Sequence, residues 1–118
     1  MSHGTVGWMQ VGTDDPATAK KFYGELFDWK FAGDPDSGDA YALVSTTGAP
    51  FGGLANTGGK FPNHAIFMVI VDDVPASLEQ AERLGGKVLV PATTTPSGLV
   101  FAHVQDPAGN EFGVYKPA

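Results

Sequence analysis

Apolar and polar residues alternate along the N-terminal stretch from Thr5 to Val11, with Val6, Trp8 and Gln10 on one side and Gly7, Met9 and Val11 on the other. That two-residue period predicts a strand. The period then changes. Thr13, Asp14 and Asp15 are candidate helix caps, and Pro16 suits a first helical position. Ala19, Phe22, Tyr23, Leu26 and Phe27 follow at three- and four-residue steps, predicting a helix with one apolar stripe. Trp29 to Ala32, Tyr41 to Ser45 and Phe51 to Ala55 read as three short strands separated by Gly- and Pro-containing turns.

The second half repeats this order. Ala65 to Val71 predicts a strand, and Asp72-Asp73 with Pro75 predicts a helix start. Leu78, Ala81, Glu82 and Leu84 carry the helical spacing, and Gly85-Gly86 ends it. Lys87 to Val90, Leu99 to Gln105 and Glu111 to Tyr115 complete three further strands. A shift of 58 residues lays Asp14-Asp15 on Asp72-Asp73 and Leu26 on Leu84. Each half is too small to close a core of its own. The expected fold is therefore α+β, two βαβββ modules forming a curved mixed sheet around a central cavity, with the helices outside. The modules cover about residues 1–58 and 59–118 of one domain spanning 1–118. A ferredoxin-like domain would leave the additional strands after each helix unused.

Composition narrows the function classes. Of 118 residues, 42% are hydrophobic and 17% charged, which suits a folded domain rather than a disordered chain. The net charge of −6 comes from scattered acids, which argues against nucleic acid as a partner. The absence of cysteine removes disulfides, thiolate nucleophiles and Cys-type zinc sites together. The longest apolar run, Ala65 to Val71, is far short of the ~20 residues of a membrane helix. Met1 to Val11 has neither the positive charge nor the apolar length of a signal peptide. A cytoplasmic location without membrane attachment is the expectation.

Three ordered stretches carry a family resemblance. Gly7-Trp8, Asp15-Pro16-Ala17 and Phe22-Tyr23-Gly24-Glu25-Leu26-Phe27-Asp28-Trp29 form the first. Val71-Asp72-Asp73-Val74 with Leu84-Gly85-Gly86-Lys87-Val88 form the second, and Phe101 to Asp106-Pro107-Ala108-Gly109-Asn110 the third. Together they resemble the glyoxalase/bleomycin resistance protein/dioxygenase superfamily, the vicinal oxygen chelate fold. The resemblance implies paired βαβββ modules, a small-molecule cavity and often a homodimer. It names no reaction, because the superfamily includes lyases, isomerases, dioxygenases, thiol transferases and antibiotic-sequestering binders.

In metal-using relatives, the first strand of each module offers a His or Gln and the last strand a Glu, a mixed nitrogen and oxygen shell for a divalent ion. The first ligand position, seven residues before the Asp at the helix start, is Trp8 here, and its repeat counterpart is Ile66. The closing Glu, four residues after the hairpin Gly, falls on Gly113. In the first half, Thr46 to Gly59 holds no His, Asp or Glu in any register. No metal of the family type and no other cofactor are therefore expected. Gln10, His64, His103 and Glu111 are the remaining potential ligands near those positions.

Alternation then groups the expected ligand-binding residues: Trp8 and Gln10; Ile66 and Met68; Phe101 and His103; Gly113 and Tyr115; with Gly53 as a close-approach position. His103 is the sharpest candidate for chemistry, since imidazole serves as acid, base or hydrogen-bond partner near neutral pH. Glu111 is placed to orient it or to act as a base. Trp8 offers a stacking wall or plain core volume, while Tyr41 and Tyr115 are hydroxyl donors. The leading expectation is metal-independent binding of a small, partly aromatic molecule by a homodimer. The alternatives are a metal-free isomerase or lyase using His103 and Glu111, and a non-catalytic regulatory or interaction module.

Overall fold

In the computed structural model, which describes residues 2–118, the chain runs β1 (Val6–Thr13), α1 (Pro16–Phe27), β2 (Lys30–Asp34), β3 (Gly38–Ser45), β4 (Gly52–Asn56), β5 (His64–Ile70), α2 (Val74–Arg83), β6 (Lys87–Thr94), β7 (Val100–Gln105) and β8 (Glu111–Lys116). The two βαβββ modules read from the repeat are both present. Residues 8–65 form one compact unit, and residues 2–7 with 66–118 form the other.

The helices start alike in both units. Asp15 accepts the Thr18 backbone N–H at 3.2 Å, and Asp73 accepts that of Ala76 at 3.0 Å. Each carboxylate satisfies an orphan donor of the first turn, with a Pro in the turn where its missing N–H costs nothing. The ends differ. Asp28 closes α1 in the left-handed region, at φ 59°, and returns its N–H to the Gly24 carbonyl. After α2 a glycine takes that conformation instead, Gly85 at φ 96°.

In the first unit the strand order is β2-β3-β4-β1, with β1 and β4 parallel and the other pairs antiparallel. Its core is Ala42, Val44 and Leu54, against which Met9, Val11, Ala19, Trp29, Phe31 and Phe51 pack. In the second unit the order is β5-β8-β7-β6, with β5 and β8 parallel. Val71, Val74, Leu78, Ala102, Val104 and Val114 form its core under α2.

The strands and helices stand where the residue pattern predicts them, and the apolar stripe of α1 is largely uncovered. Phe22, Leu26 and Phe27 are 58%, 57% and 53% exposed, and no residue of that helix is buried. Only Ala19, the small end of the stripe, packs against the unit's core. The aromatic rings stack on one another instead, with Tyr23 5.1 Å from Trp29 and Phe27 5.4 Å from it. Strand ends also moved outward: β1 continues to Thr13 and β6 to Thr94. The second extension follows pairing of Thr93 and Thr94 with Phe101 and Val100, across register shifts that no local pattern announces.

Candidate functional site

In the second unit, strand pairing settles which side chains share a face. Across the antiparallel β7–β8 pair, Phe101 lies opposite Tyr115, His103 opposite Gly113 and Gln105 opposite Glu111. Directly opposed residues point the same way, so these six share one face. Met68 joins them, because parallel pairing sets it beside Gly113. Ala102, Val104 and Val114 belong to the opposite face and form the core with Phe112 packed against it.

On that shared face, His103 Nδ1 lies 3.0 Å from Glu111 Oε2. The His103 side chain is only 9% exposed, whereas that of Glu111 is about a quarter exposed. A carboxylate on Nδ1 orients the ring and holds a proton on that nitrogen. The Phe101 ring lies 6.1 Å from the imidazole. Ile66, Met68 and Tyr115 are buried, and burial raises the Tyr115 hydroxyl above its ordinary pKa.

Gly113 stands under the Met68 side chain. A Cβ there would run into the Met68 side chain, so the closing-Glu position is filled by a thioether from β5. The first unit has the same construction. Gln10 and Met68, related by the 58-residue shift, pair with Gly53 and Gly113. Gly53 is thus the first-module counterpart of Gly113, and a Cβ on Gly53 would meet the Tyr41 ring and hydroxyl. At Gly53 it is the Tyr41 side chain that makes the close approach to the backbone.

Trp8, Ile66, Gly53 and Gly113 therefore stand at the four positions, and none carries a ligating atom. These residues do not fit the family's usual metal shell. The ligand-competent groups nearby are engaged within each unit: His103 with Glu111, and Gln10 Nε2 with His64 Nε2 at 3.0 Å.

Around Gln10 the first unit holds a chain of polar side chains. The Trp8 indole N–H donates to the Tyr41 hydroxyl oxygen at 3.0 Å, and that hydroxyl donates to Gln10 Oε1 at 3.1 Å. His64 Nδ1 is 3.1 Å from the Pro62 carbonyl oxygen. Gln10 is 7% exposed. Burial pushes the Tyr41 hydroxyl up to about 12, with the Trp8 hydrogen bond opposing and the Asp34 charge adding to the rise. The sequence marks Tyr41 only as a hydroxyl donor. The missed signal is cross-strand: Leu43 pairs with Gly53, so Tyr41, two residues away on the same face, lies diagonally over the glycine.

Two recesses flank the helices. One of about 340 Å³ adjoins His64, with Val11, Thr13, Ala19, Tyr23 and Asn63 around it. The other, about 290 Å³, lies beside α2 over Val104, Phe112 and Val114. Neither is lined by Trp8, Met68 or Gly113. Among the described residues, no helix is long and apolar enough to cross a membrane.

The family model of the Glyoxalase/Bleomycin resistance protein/Dioxygenase superfamily matches residues 5–114. The chain belongs to that superfamily. Among curated relatives, the CFP32 protein of Mycobacterium bovis is 28% identical over 96% of this chain, which covers 46% of that protein. The anthracycline biosynthesis protein DauV of Streptomyces sp. (strain C5) is 32% identical over 94% of this chain and 41% of its own length. The chain thus spans less than half of these relatives. Among solved structures, the Mn(II)-bound glyoxalase from Novosphingobium aromaticivorans superposes with a TM-score of 0.64 at 21% identity, over 98% of this chain and 40% of that one. At that identity the likeness establishes the fold alone. Superfamily membership makes this a small-molecule binding or catalytic module.

Proposed function

We propose that this superfamily member binds a small, partly aromatic organic molecule without a metal ion. The observation that carries the reading is the pair of filled glycines. Where the last strand of each module would supply a carboxylate, Gly53 and Gly113 stand instead, and Tyr41 and Met68 occupy the space. Restoring a ligand there would require displacing a packed side chain. Trp8, Gln10 and Gly53 in one unit, and Ile66, Met68, Phe101, His103, Gly113 and Tyr115 in the other, are the proposed contact residues. Apolar and aromatic surface with few polar groups suits a planar organic ligand. A homodimer and a cytoplasmic setting belong to the same proposal.

Trp8→Ala tests the placement. It should weaken binding of any organic molecule that the purified native protein carries by at least tenfold, since a stacked indole supplies more than about 1.4 kcal/mol. Unchanged affinity would remove Trp8 from the site.

A second reading, metal-free isomerisation or lyase chemistry, is favoured by the 3.0 Å His103–Glu111 pair. Glu111 would hold the His103 ring while its other nitrogen takes or returns a proton at the substrate. Under that reading, His103→Gln abolishes turnover and leaves folding largely intact. Full activity in a folded His103→Gln variant would dismiss it.

A further inference from the structure

The recess beside α2 has a counterpart position in the first module, and there the chain supplies its own aromatic rings. Tyr23 and Ala81 each lie eight residues after the Asp that caps their helix. Trp29 and Gly86 each immediately precede the strand that follows that helix. Strand pairing gives the second match independently. Lys30 faces Ser45, two residues beyond Leu43 of the Leu43–Gly53 pair, and Lys87 faces Gln105, two beyond His103 of the His103–Gly113 pair. In the first module the Tyr23 and Trp29 rings stack at 5.1 Å and 18°, and Trp29 packs against the core. In the second module Ala81 and Gly86 hold those two places without a ring, and both line the recess of about 290 Å³. Gly86 offers no way to refill it. A Cβ there would come within 2.8 Å of the Gln105 carbonyl oxygen and 3.1 Å of that of Ala81.

We propose that this recess is a second ligand site, which takes a planar aromatic molecule of one or two rings where the first module stacks Tyr23 on Trp29. The buried Val104 and Val114 form its floor with Phe112, and Leu84, 70% exposed, stands at its mouth. An apolar cavity of about 150 Å³ already admits benzene, so the room here suits a ring of that size or a fused pair. Ser77 and Gln80 lie on the same face of α2 as Ala81 and also line the recess. Among the described residues neither of their side chains makes a hydrogen bond, so both are open to a polar group on the ligand's edge. None of the lining residues is basic, and the Asp106 carboxylate is taken up by its own turn, so that edge is neutral. The site lies on the core face of the β7–β8 pair, opposite to the face that carries His103 and Gly113. It does not rest on the binding reading proposed above.

Phenol is the ring of Tyr23 as a free molecule, and cyclohexanol matches it atom for atom in its heavy atoms but has a puckered ring. NMR titration of each into the native chain, with intermolecular NOEs, reads both the place and the strength of binding. Phenol should show NOEs from its ring protons to the Ala81 and Leu84 methyl groups, with the millimolar affinity expected of so small a ligand. Cyclohexanol should bind at least about threefold more weakly, since it lacks the flat face that ring contacts use. Ala81→Tyr supplies the ring covalently and should abolish the phenol NOEs. If that variant does not fold, Leu84→Ala, at an exposed position, should weaken phenol binding roughly threefold. A titration without NOEs to Ala81 or Leu84 overturns the proposal. So does phenol binding unchanged in a folded Ala81→Tyr or in Leu84→Ala, or cyclohexanol binding as tightly as phenol. NOEs confined to Met68 or Tyr115 would put phenol on the opposite face and overturn it as well. The Trp8→Ala titration reads the other site separately.

Discussion

At the residue scale, the decisive groups are the two strand glycines and the side chains that cover them. Gly53 and Gly113 occupy equivalent places, but what lies over them differs in stiffness. Tyr41 is a rigid ring hydrogen-bonded at its hydroxyl to Trp8 and Gln10, whereas Met68 is an unbranched, flexible chain that meets the Gly113 position mainly with its far end. Gly53→Ala should therefore cost about 2–3 kcal/mol, and Gly113→Ala about 1 kcal/mol, as overpacking against a stiff or a yielding neighbour. Urea denaturation measures both, and equal losses would contradict the difference in the covering side chains. Tyr41 also predicts a pH response. Its folded pKa is raised to about 12 from an ordinary 10, so its contribution is complete below pH 10 and is lost as pH rises through about 12. Stability should fall over that interval in the native chain, and less steeply in Tyr41→Phe. Parallel denaturation curves at pH 9 and pH 11 give the comparison.

At the scale of elements, the repeated helix starts are the most legible feature. Each pairs an Asp cap with a proline, a local signature that sequence carries whole. Asp73→Ala should cost about 1 kcal/mol through loss of the Ala76 contact, read as a fall in the thermal midpoint. The turn between β7 and β8 is equally local. The Asp106 carboxylate accepts the backbone N–H groups of Ala108 and Asn110, both at 2.9 Å, and the Asn110 side chain at 3.1 Å. Those bonds favour the ionised form and hold its pKa below the ordinary value of 3.8. The stability it supplies is present above that value and lost as pH falls through the lower folded one. Asp106→Asn should thus flatten the acid limb of the stability curve. What sequence did not carry is also found here. The exposure of the α1 stripe depends on how the helix lies on β4, and Phe22, Leu26 and Phe27 fit a periodic pattern whether or not anything covers them. The Tyr41–Gln10–His64 chain likewise needs the β3–β4 register and the approach of His64 to Gln10 of β1. Neither follows from spacing along the chain.

At the scale of the whole molecule, the order of the elements and three motifs were enough to reach the superfamily, and the match over residues 5–114 establishes it. The site was legible in part. Trp8, Ile66 and Gly113 as non-ligating residues could be counted from the motifs, because those positions are fixed relative to Asp15 and the hairpin glycine. The first-module counterpart could not, since the loop before β4 leaves its register open; the pairing of Gln10 with Gly53 supplies it. Metal-independent binding is the central claim built on those four positions. Native mass spectrometry of gently purified protein, with elemental analysis of the same sample, tests it most directly. The account predicts a protein mass without a divalent ion, and an organic adduct whose retention falls in Trp8→Ala. A stoichiometric divalent ion that is lost in His64→Ala or His103→Ala would contradict it and assign those histidines to a metal site.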